Sequence, residues 1–311
     1  MPTPVTRPKV NCSPYWHGVY PAITTQMDRD GRIDLEGTIR HAEVLVASGI
    51  GGLIFLGSLG ENQVMTASEK REVMAAMVGA FRGRLPVLSG VAESSTGEAV
   101  RYVQDCERLG VDGVMVMPAM SYRTPDPEES MAHLRTVAAG TRLPIMIYNN
   151  PIAYGNDITP EMFAKLADVP NFVALKESSA NTRRITDLHR EIGGRYSIFT
   201  GVDDLALESA VLGIDGWVAG TGIAFPEENQ ALWEAMQAGD WDRAVTIYRW
   251  FTPLLHLDTH IKFVQYIKLC VQECGLGTEW TRAPRLPISG GEREQVLRVI
   301  HEGIRNRPKL S

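Results

Sequence analysis

Short runs of apolar, often β-branched residues alternate along this chain with longer segments of helical period. The runs begin at Gly18, Gly52, Pro86, Asp112, Pro144, Phe172, Tyr196 and Gly216. They are apolar on both faces, which predicts eight buried parallel strands. Gly51-Gly52, Pro86, Pro144 and Pro170 supply turn signals at or just before several of them. Between the runs, helices are predicted over 35–48, 68–81, 97–109, 128–139, 160–167, 183–191 and 204–212. Thr66-x-x-Glu69 reads as a capping box, and Thr159-Pro160 as an N-cap followed by proline at the first helical position. Strands recur roughly every thirty residues, the size of a βα unit. Eight such units over 14–238 predict an α/β fold of the (β/α)8 TIM-barrel class rather than an open doubly wound sheet. Helix 226–238 closes the eighth unit. Helices over 240–255, 261–274 and 291–304 predict a C-terminal helical layer, 239–311, docked on the barrel.

Composition adds exclusions. A chain of 311 residues buries a large core without disulfides or metals. A net charge of −6 argues against nucleic acid or an anionic membrane as the main partner. Met1–Ser13 is polar with no apolar h-region, and no apolar run approaches a membrane span, so a cytoplasmic location is expected. The four cysteines, Cys12, Cys106, Cys270 and Cys274, are scattered and read as free thiols. Cys270 and Cys274 share a helix face without a second ligand pair at metal spacing. His256 and His260, in H-L-D-T-H, resemble half a zinc site, but no glutamate follows His256. They read as a polar helix end or an interface. No metal and no cofactor are expected.

In this fold chemistry gathers at the C-terminal ends of the strands. Those ends are Gly57–Glu61, Tyr148–Pro151, Lys176–Ser179, Thr200–Asp204 and Gly220–Gly222. Lys176 is the most unusual residue. The chain has seven lysines, and this one ends the apolar run F-V-A-L, whereas the other six lie in polar or helical contexts. Desolvation there lowers the amine's pKa and frees a nucleophile. The competing reading is an ion pair with Glu177 or Asp203. Tyr148 ends the neighbouring strand, about 4.8 Å away. Its phenol can relay protons during carbinolamine formation and collapse, or be a core tyrosine with a satisfied hydroxyl. The G-S-L-G-E turn offers backbone N–H groups and the Ser58 hydroxyl to a carboxylate. Glu61 reads as structural, bonding the loop's own backbone.

Together these residues resemble the dihydrodipicolinate synthase / N-acetylneuraminate lyase family of class I aldolases. The motifs are the G-[S/T]-x-G-E turn, the Y-N-x-P strand end and a lysine 28 residues after that tyrosine, and the likeness runs from Gly18 to the last helices. The resemblance implies that Lys176 is the Schiff-base lysine and Tyr148 the proton relay. It implies that Ser58 contacts both that tyrosine and the substrate carboxylate. Tyr122 matches a tyrosine inserted into a neighbouring subunit's site, and a homotetramer built as a dimer of dimers is implied. Substrate contacts are expected at Ser58, Leu59, Gly201 and Tyr154. Leu59 stands where the family usually has threonine, so one hydroxyl is lost. Ala153 stands where the synthase has an arginine for a second carboxylate, which argues against synthase activity proper. W-H-G-V-Y-P-A-I-T-T-Q, Y-N-N-P-x-x-Y-x-N-D-I-T-P and Y-R-W-F-x-P-L-L-H-L-D are similar to a deaminase branch. That branch converts Δ1-pyrroline-4-hydroxy-2-carboxylate to 2-oxoglutarate semialdehyde and ammonia in hydroxyproline breakdown. The expected partner is a small 2-oxo or 2-imino acid, and the leading expectation is this deamination. The alternatives are an aldolase or dehydratase of a sugar-derived 2-oxo acid and, from another class, a non-catalytic binding protein.

Overall fold

The structure, a computed structural model, describes residues 16–120, 122 and 126–310. Cys12 and Pro125 lie outside them. Among the described residues eight strands form one parallel sheet: β1 Gly18–Val19, β2 Leu53–Phe55, β3 Val87–Val91, β4 Gly113–Val116, β5 Ile145–Asn149, β6 Phe172–Glu177, β7 Ser197–Thr200 and β8 Gly216–Trp217. Their order is β1-β8-β7-β6-β5-β4-β3-β2. A parallel bridge from Ala22 to Ile54 and the bond from the Ile23 N–H to the Ile54 carbonyl, 2.9 Å, join β1 to β2. The result is the expected (β/α)8 barrel. Each apolar run carries a strand, and β1 and β8 are among those shorter than their runs. Past Val19 the Tyr20 and Ala22 N–H groups still donate to the Trp217 and Ala219 carbonyls, both at 2.8 Å, while Pro21 has no N–H to offer on the β2 side; after Trp217 the Gly220 N–H goes to the Asp203 carboxylate.

The helices follow the predicted segments closely. They are α1 Leu35–Ala47, α2 Ala67–Phe81, α3 Thr96–Leu109, α4 Pro127–Ala139, α5 Pro151–Tyr154, α6 Pro160–Lys165, α7 Arg183–Ile192 and α8 Ala206–Val211. After them come α9 Pro226–Ala238, α10 Trp241–Leu255, α11 Phe263–Glu273 and α12 Gly290–Arg305. The capping box at Thr66 forms in both directions. Thr159 precedes α6 but gives it no side-chain cap; its hydroxyl is engaged by the Glu161 carboxylate instead. α8 starts two residues later than expected because 203–205 form a 3-10 turn with Asp203 buried. The four-residue α5 has no counterpart in the sequence reading.

Beyond α9 the chain folds back on the barrel. Phe225 meets the rings of Trp250 and Phe251 edge-on, at 5.6 and 5.8 Å, and so fixes α10 against the entry to α9. α11 carries the fully buried Lys268. Its ammonium donates to the Thr25 carbonyl at 2.9 Å and to Glu61 at 2.8 Å. The helical layer thereby reaches the turn that follows β2.

Candidate active site

The parallel register of β5 and β6 places Tyr148 directly beside Lys176. Lys176 is 7% exposed, and its ammonium nitrogen lies 4.2 Å from the centre of the Tyr148 ring. It makes no hydrogen bond or ion pair with a described residue. The ion-pair reading fails because both carboxylates are already engaged. Glu177 accepts from Asn149 Nδ2 at 3.0 Å and from the Ser179 N–H at 2.6 Å. Asp203 accepts from Trp217 Nε1 at 3.0 Å and from the Thr221 N–H at 2.7 Å. Burial pushes the Lys176 pKa down, and the fields of Asp258, Tyr154 and Asp203 oppose that fall without reversing it. Gly201 contributes space. A Cβ there would lie 2.2 Å from Lys176 Cε and 2.3 Å from Ser178 Oγ. The lysine lies across the glycine, so the expected place of Gly201 in the site is as clearance for Lys176.

Around Tyr148 the structure departs from the implied arrangement. The Ser58 hydroxyl bonds the Tyr154 hydroxyl, not the Tyr148 phenol. The difference originates in α5. Asn150 caps this turn by accepting from the Ala153 N–H at 2.9 Å, and its Nδ2 donates to the Tyr148 phenol at 3.0 Å. Gly155, at φ +75°, ends the turn, a left-handed conformation that glycine adopts without strain. The short helix sets Tyr154 edge-on to Tyr148, with ring centres 5.7 Å apart. Burial raises both phenol pKa values, so each keeps its proton near neutrality and can donate it. Ala153 is exposed, its N–H committed to the Asn150 cap.

The turn after β2 is sharply folded, with Leu56 and Glu61 both at positive φ, +54° and +60°. Leu59 buries its side chain, and its N–H donates to no described residue. Glu61 does not bond the loop's own backbone. Its carboxylate takes Lys268 Nζ on one oxygen and the Arg282 N–H, 3.0 Å, on the other. The signal for this pairing lay in Lys268, a charged residue within the apolar face of α11.

Tyr122 is 57% exposed, at the edge of a cavity of about 200 Å3 that also meets Tyr148, His133 and Asn156. The two histidines of H-L-D-T-H diverge. His256 Nδ1 contacts Asp204 Oδ2 at 2.8 Å, while His260 stacks on Tyr266 at 4.6 Å. Among the described residues no group of three His, Cys, Asp or Glu could hold a metal. The residue between them, Asp258, is the member of the motif that the sequence reading passed over. Its carboxylate reaches the end of β8 and acts electrostatically on both Lys176 and Tyr148.

Comparison with known proteins agrees with this architecture. The chain is 30% identical over 293 residues to a 4-hydroxy-tetrahydrodipicolinate synthase of Phenylobacterium zucineum, covering 93% of this chain and 98% of that protein. It is 28% identical over 280 residues to 4-hydroxy-tetrahydrodipicolinate synthase 1 of Halalkalibacterium halodurans, covering 90% and 95%. The crystal structure of dihydrodipicolinate synthase from Aquifex aeolicus superposes with a TM-score of 0.87 at 27% identity, covering 92% of this chain and 98% of that one. These names lie nearer the aldolase-type alternative than the deaminase expectation. No helix among the described residues is long and apolar enough to cross a membrane. Residues 15–302 match the Dihydrodipicolinate synthetase family, and the chain belongs to that family, as an enzyme of the class I aldolase type that works through a lysine Schiff base.

Proposed function

We propose that Lys176 forms the Schiff base and that the substrate is a 2-oxo acid with a single carboxylate, cleaved or dehydrated in the manner of an aldolase-type lyase. The observation that carries this reading is a buried lysine with no ion-pair partner among the described residues, 4.2 Å from the ring centre of a buried tyrosine. The neutral amine adds to C2 of the substrate, and the carbinolamine loses water to give the Schiff base. In cleavage, the C4 hydroxyl gives up its proton as the C3–C4 bond breaks; an aldehyde leaves and the bond's electron pair stays in an enamine, which is then protonated at C3. In dehydration, loss of a C3 proton gives the enamine, which expels the C4 hydroxyl as water. In both, water hydrolyses the Schiff base, releasing the product and restoring the amine. Tyr148 carries the protons of these steps, and the Tyr154–Ser58 pair beside it extends the relay. The G-S-L-G-E turn holds the carboxylate through the Leu59 N–H. Exposed Ala153 offers no cation for a second carboxylate, which separates this site from the synthase reaction proper.

A second reading keeps the same lysine and takes Δ1-pyrroline-4-hydroxy-2-carboxylate as substrate. The same lack of a cation at Ala153 suits that monocarboxylate. Lys176 adds to the ring C=N carbon, and ring opening frees the C5 amine. Loss of a C3 proton and expulsion of the C4 hydroxyl as water follow, and tautomerisation gives a C5 imine. One water hydrolyses that imine to ammonia and the aldehyde; another releases the lysine. The experiment is a substrate panel in which pyruvate, ammonia and 2-oxoglutarate semialdehyde are measured together. Pyruvate release or dehydration from a 3-deoxy-2-oxo sugar acid, without ammonia from the pyrroline, supports the aldolase-type reading. Ammonia and the semialdehyde from the pyrroline replace it with the deaminase. For the quaternary arrangement we propose a dimer of dimers in which Tyr122 completes a neighbour's site.

A further inference from the structure

We propose that Asp258 is a specificity-determining residue that accepts a hydrogen bond from a hydroxyl group on the substrate beyond C3. This deepens the Lys176 reading above and rests on it. Both substrate classes considered there carry such a hydroxyl.

Asp258 lies in the connection between α10 and α11, and that connection is anchored at two points. Its N–H donates to the Leu255 carbonyl at 3.0 Å, and His256 two residues earlier contacts Asp204. The carboxylate is seated over the end of β8. A Cβ at Gly220 would lie 2.4 Å from Asp258 Oδ1. Glycine is therefore what lets the carboxylate lie there. Asp203, on the other side of the same glycine, is fully committed to Gly220, Thr221 and Trp217. Asp258 is different. It is half-buried, and it accepts no hydrogen bond from a described residue. A carboxylate partly withdrawn from water with no donor of its own is poised for one from a ligand.

Ser178 is a second, independent pointer to a ligand. It is 2% exposed, and its hydroxyl makes no hydrogen bond of ordinary geometry with a described residue, although the Tyr148 phenol lies close enough to act on it. Two residues past Lys176 on an extended chain, it shares the lysine's side of the sheet, and it meets the same Gly201 surface as Lys176 Cε. The site thus holds, beside the amine, a hydroxyl with at most the Tyr148 phenol for company, and a carboxyl group with no donor among the described residues that acts on both Lys176 and Tyr148. Acidic side chains, Asp203, Asp204 and Asp258, border this end of β8, and burial pushes the Asp203 and Asp258 carboxyls up from their ordinary range. A substrate hydroxyl can hydrogen-bond to such a group, which offers a second substrate carboxylate no cation.

The test uses the full chain, borohydride trapping and mass measurement of the Lys176 peptide. Three substrates differ only beyond C3: 4,5-dihydroxy-2-oxopentanoate, 2-oxopentanoate and 2-oxoglutarate. Wild type and the variants Asp258→Asn and Asp258→Arg are each measured on the plateau of their own pH profile. The wild type should trap the dihydroxy acid faster than its deoxy counterpart. Asp258→Asn should reduce that ratio about tenfold or more. Asp258→Arg should raise 2-oxoglutarate relative to 2-oxopentanoate, a gain that misfolding cannot mimic. A dihydroxy-to-deoxy ratio unchanged within about twofold in Asp258→Asn overturns the proposal, even if Asp258→Arg does not fold. Absence of any Lys176 adduct in the wild type overturns the Schiff-base assignment and this inference with it.

Discussion

Among the described residues three lysines are withdrawn from water; Lys70 is paired with Glu93 at 2.7 Å, and the other two could hardly be more differently employed. Lys268 is 0% exposed on α11 and is fully paired, with the Thr25 carbonyl at 2.9 Å and Glu61 at 2.8 Å. Arg285 stands 3.5 Å from the other Glu61 oxygen, a second cation on the same carboxylate that itself pulls the Lys268 pKa down. Lys176 is almost as buried, but its ammonium nitrogen lies over the face of Tyr148 and makes no hydrogen bond or ion pair with a described residue. Burial lowers the pKa of both. For Lys268 the Glu61 carboxylate then restores much of what burial removes, whereas the carboxylates acting on Lys176 make no contact with it. Burial alone therefore does not mark a nucleophile; burial without a partner does. The paired lysine also has a task toward the site, because Glu61 closes the turn that presents Ser58 and Leu59.

The comparison breaks first on activity. Lys176→Ala should abolish adduct formation and reduce turnover on the order of 10^4-fold or more, as loss of a covalent nucleophile does. Steady-state assay with mass spectrometry of the trapped protein checks it; an adduct in the variant contradicts the assignment. Tyr148→Phe should slow turnover by about 10^2- to 10^4-fold, the usual weight of a proton relay, while folding is retained.

Stability should separate the lysines in the opposite sense. Lys268→Met takes from the buried Glu61 carboxylate its 2.8 Å ammonium, leaving only Arg285 at 3.5 Å as counter-charge, and should destabilise the fold by about 3–5 kcal/mol in denaturant titrations. Lys176→Met should leave stability unchanged or raise it. With a lowered folded-state pKa, Lys176 binds fewer protons in the native chain than in the unfolded one between that value and the ordinary 10.5. Its contribution therefore becomes more favourable as pH rises through that window, and below it the buried charge is a penalty. A Lys176→Met variant as unstable as Lys268→Met would erase the distinction.

Two finer effects sharpen the picture. Mixing inactive Tyr122→Phe and Lys176→Ala subunits should restore part of the activity in hybrids, because one shared site then has both residues; hybrids that exchange subunits yet stay inactive contradict sharing. Asp258→Asn removes a field that raises the Lys176 pKa. The amine should then lose its proton more readily, moving the acid limb of adduct formation to lower pH. A limb that stays or moves upward contradicts the placement of Asp258.

The alternation of apolar runs and helical segments made the barrel legible, because parallel strands buried on both faces leave a strong local signal. Lys176 and Tyr148 were legible for a related reason: polar residues ending apolar strands stand out. Contacts set by tertiary structure were not. Whether Ser58 meets Tyr148 or Tyr154 depends on a four-residue helix too short to show a period. Glu61 and Lys268 are 207 residues apart; a lysine within the apolar face of α11 asks for a partner, but nothing local to it names Glu61. Asp258 sat inside a motif whose histidines drew the metal reading, although the fold sends those histidines to different neighbours.

The central claim is that the unpartnered lysine, and not the paired one, carries the chemistry. Incubation with a 2-oxo acid and borohydride, followed by proteolysis and peptide mass measurement, tests it directly. The reduced adduct should appear on the peptide containing Lys176 and be absent from the one containing Lys268. An adduct on Lys268, or a protein that turns over substrate with Lys176 unmodified under trapping conditions, would contradict the account.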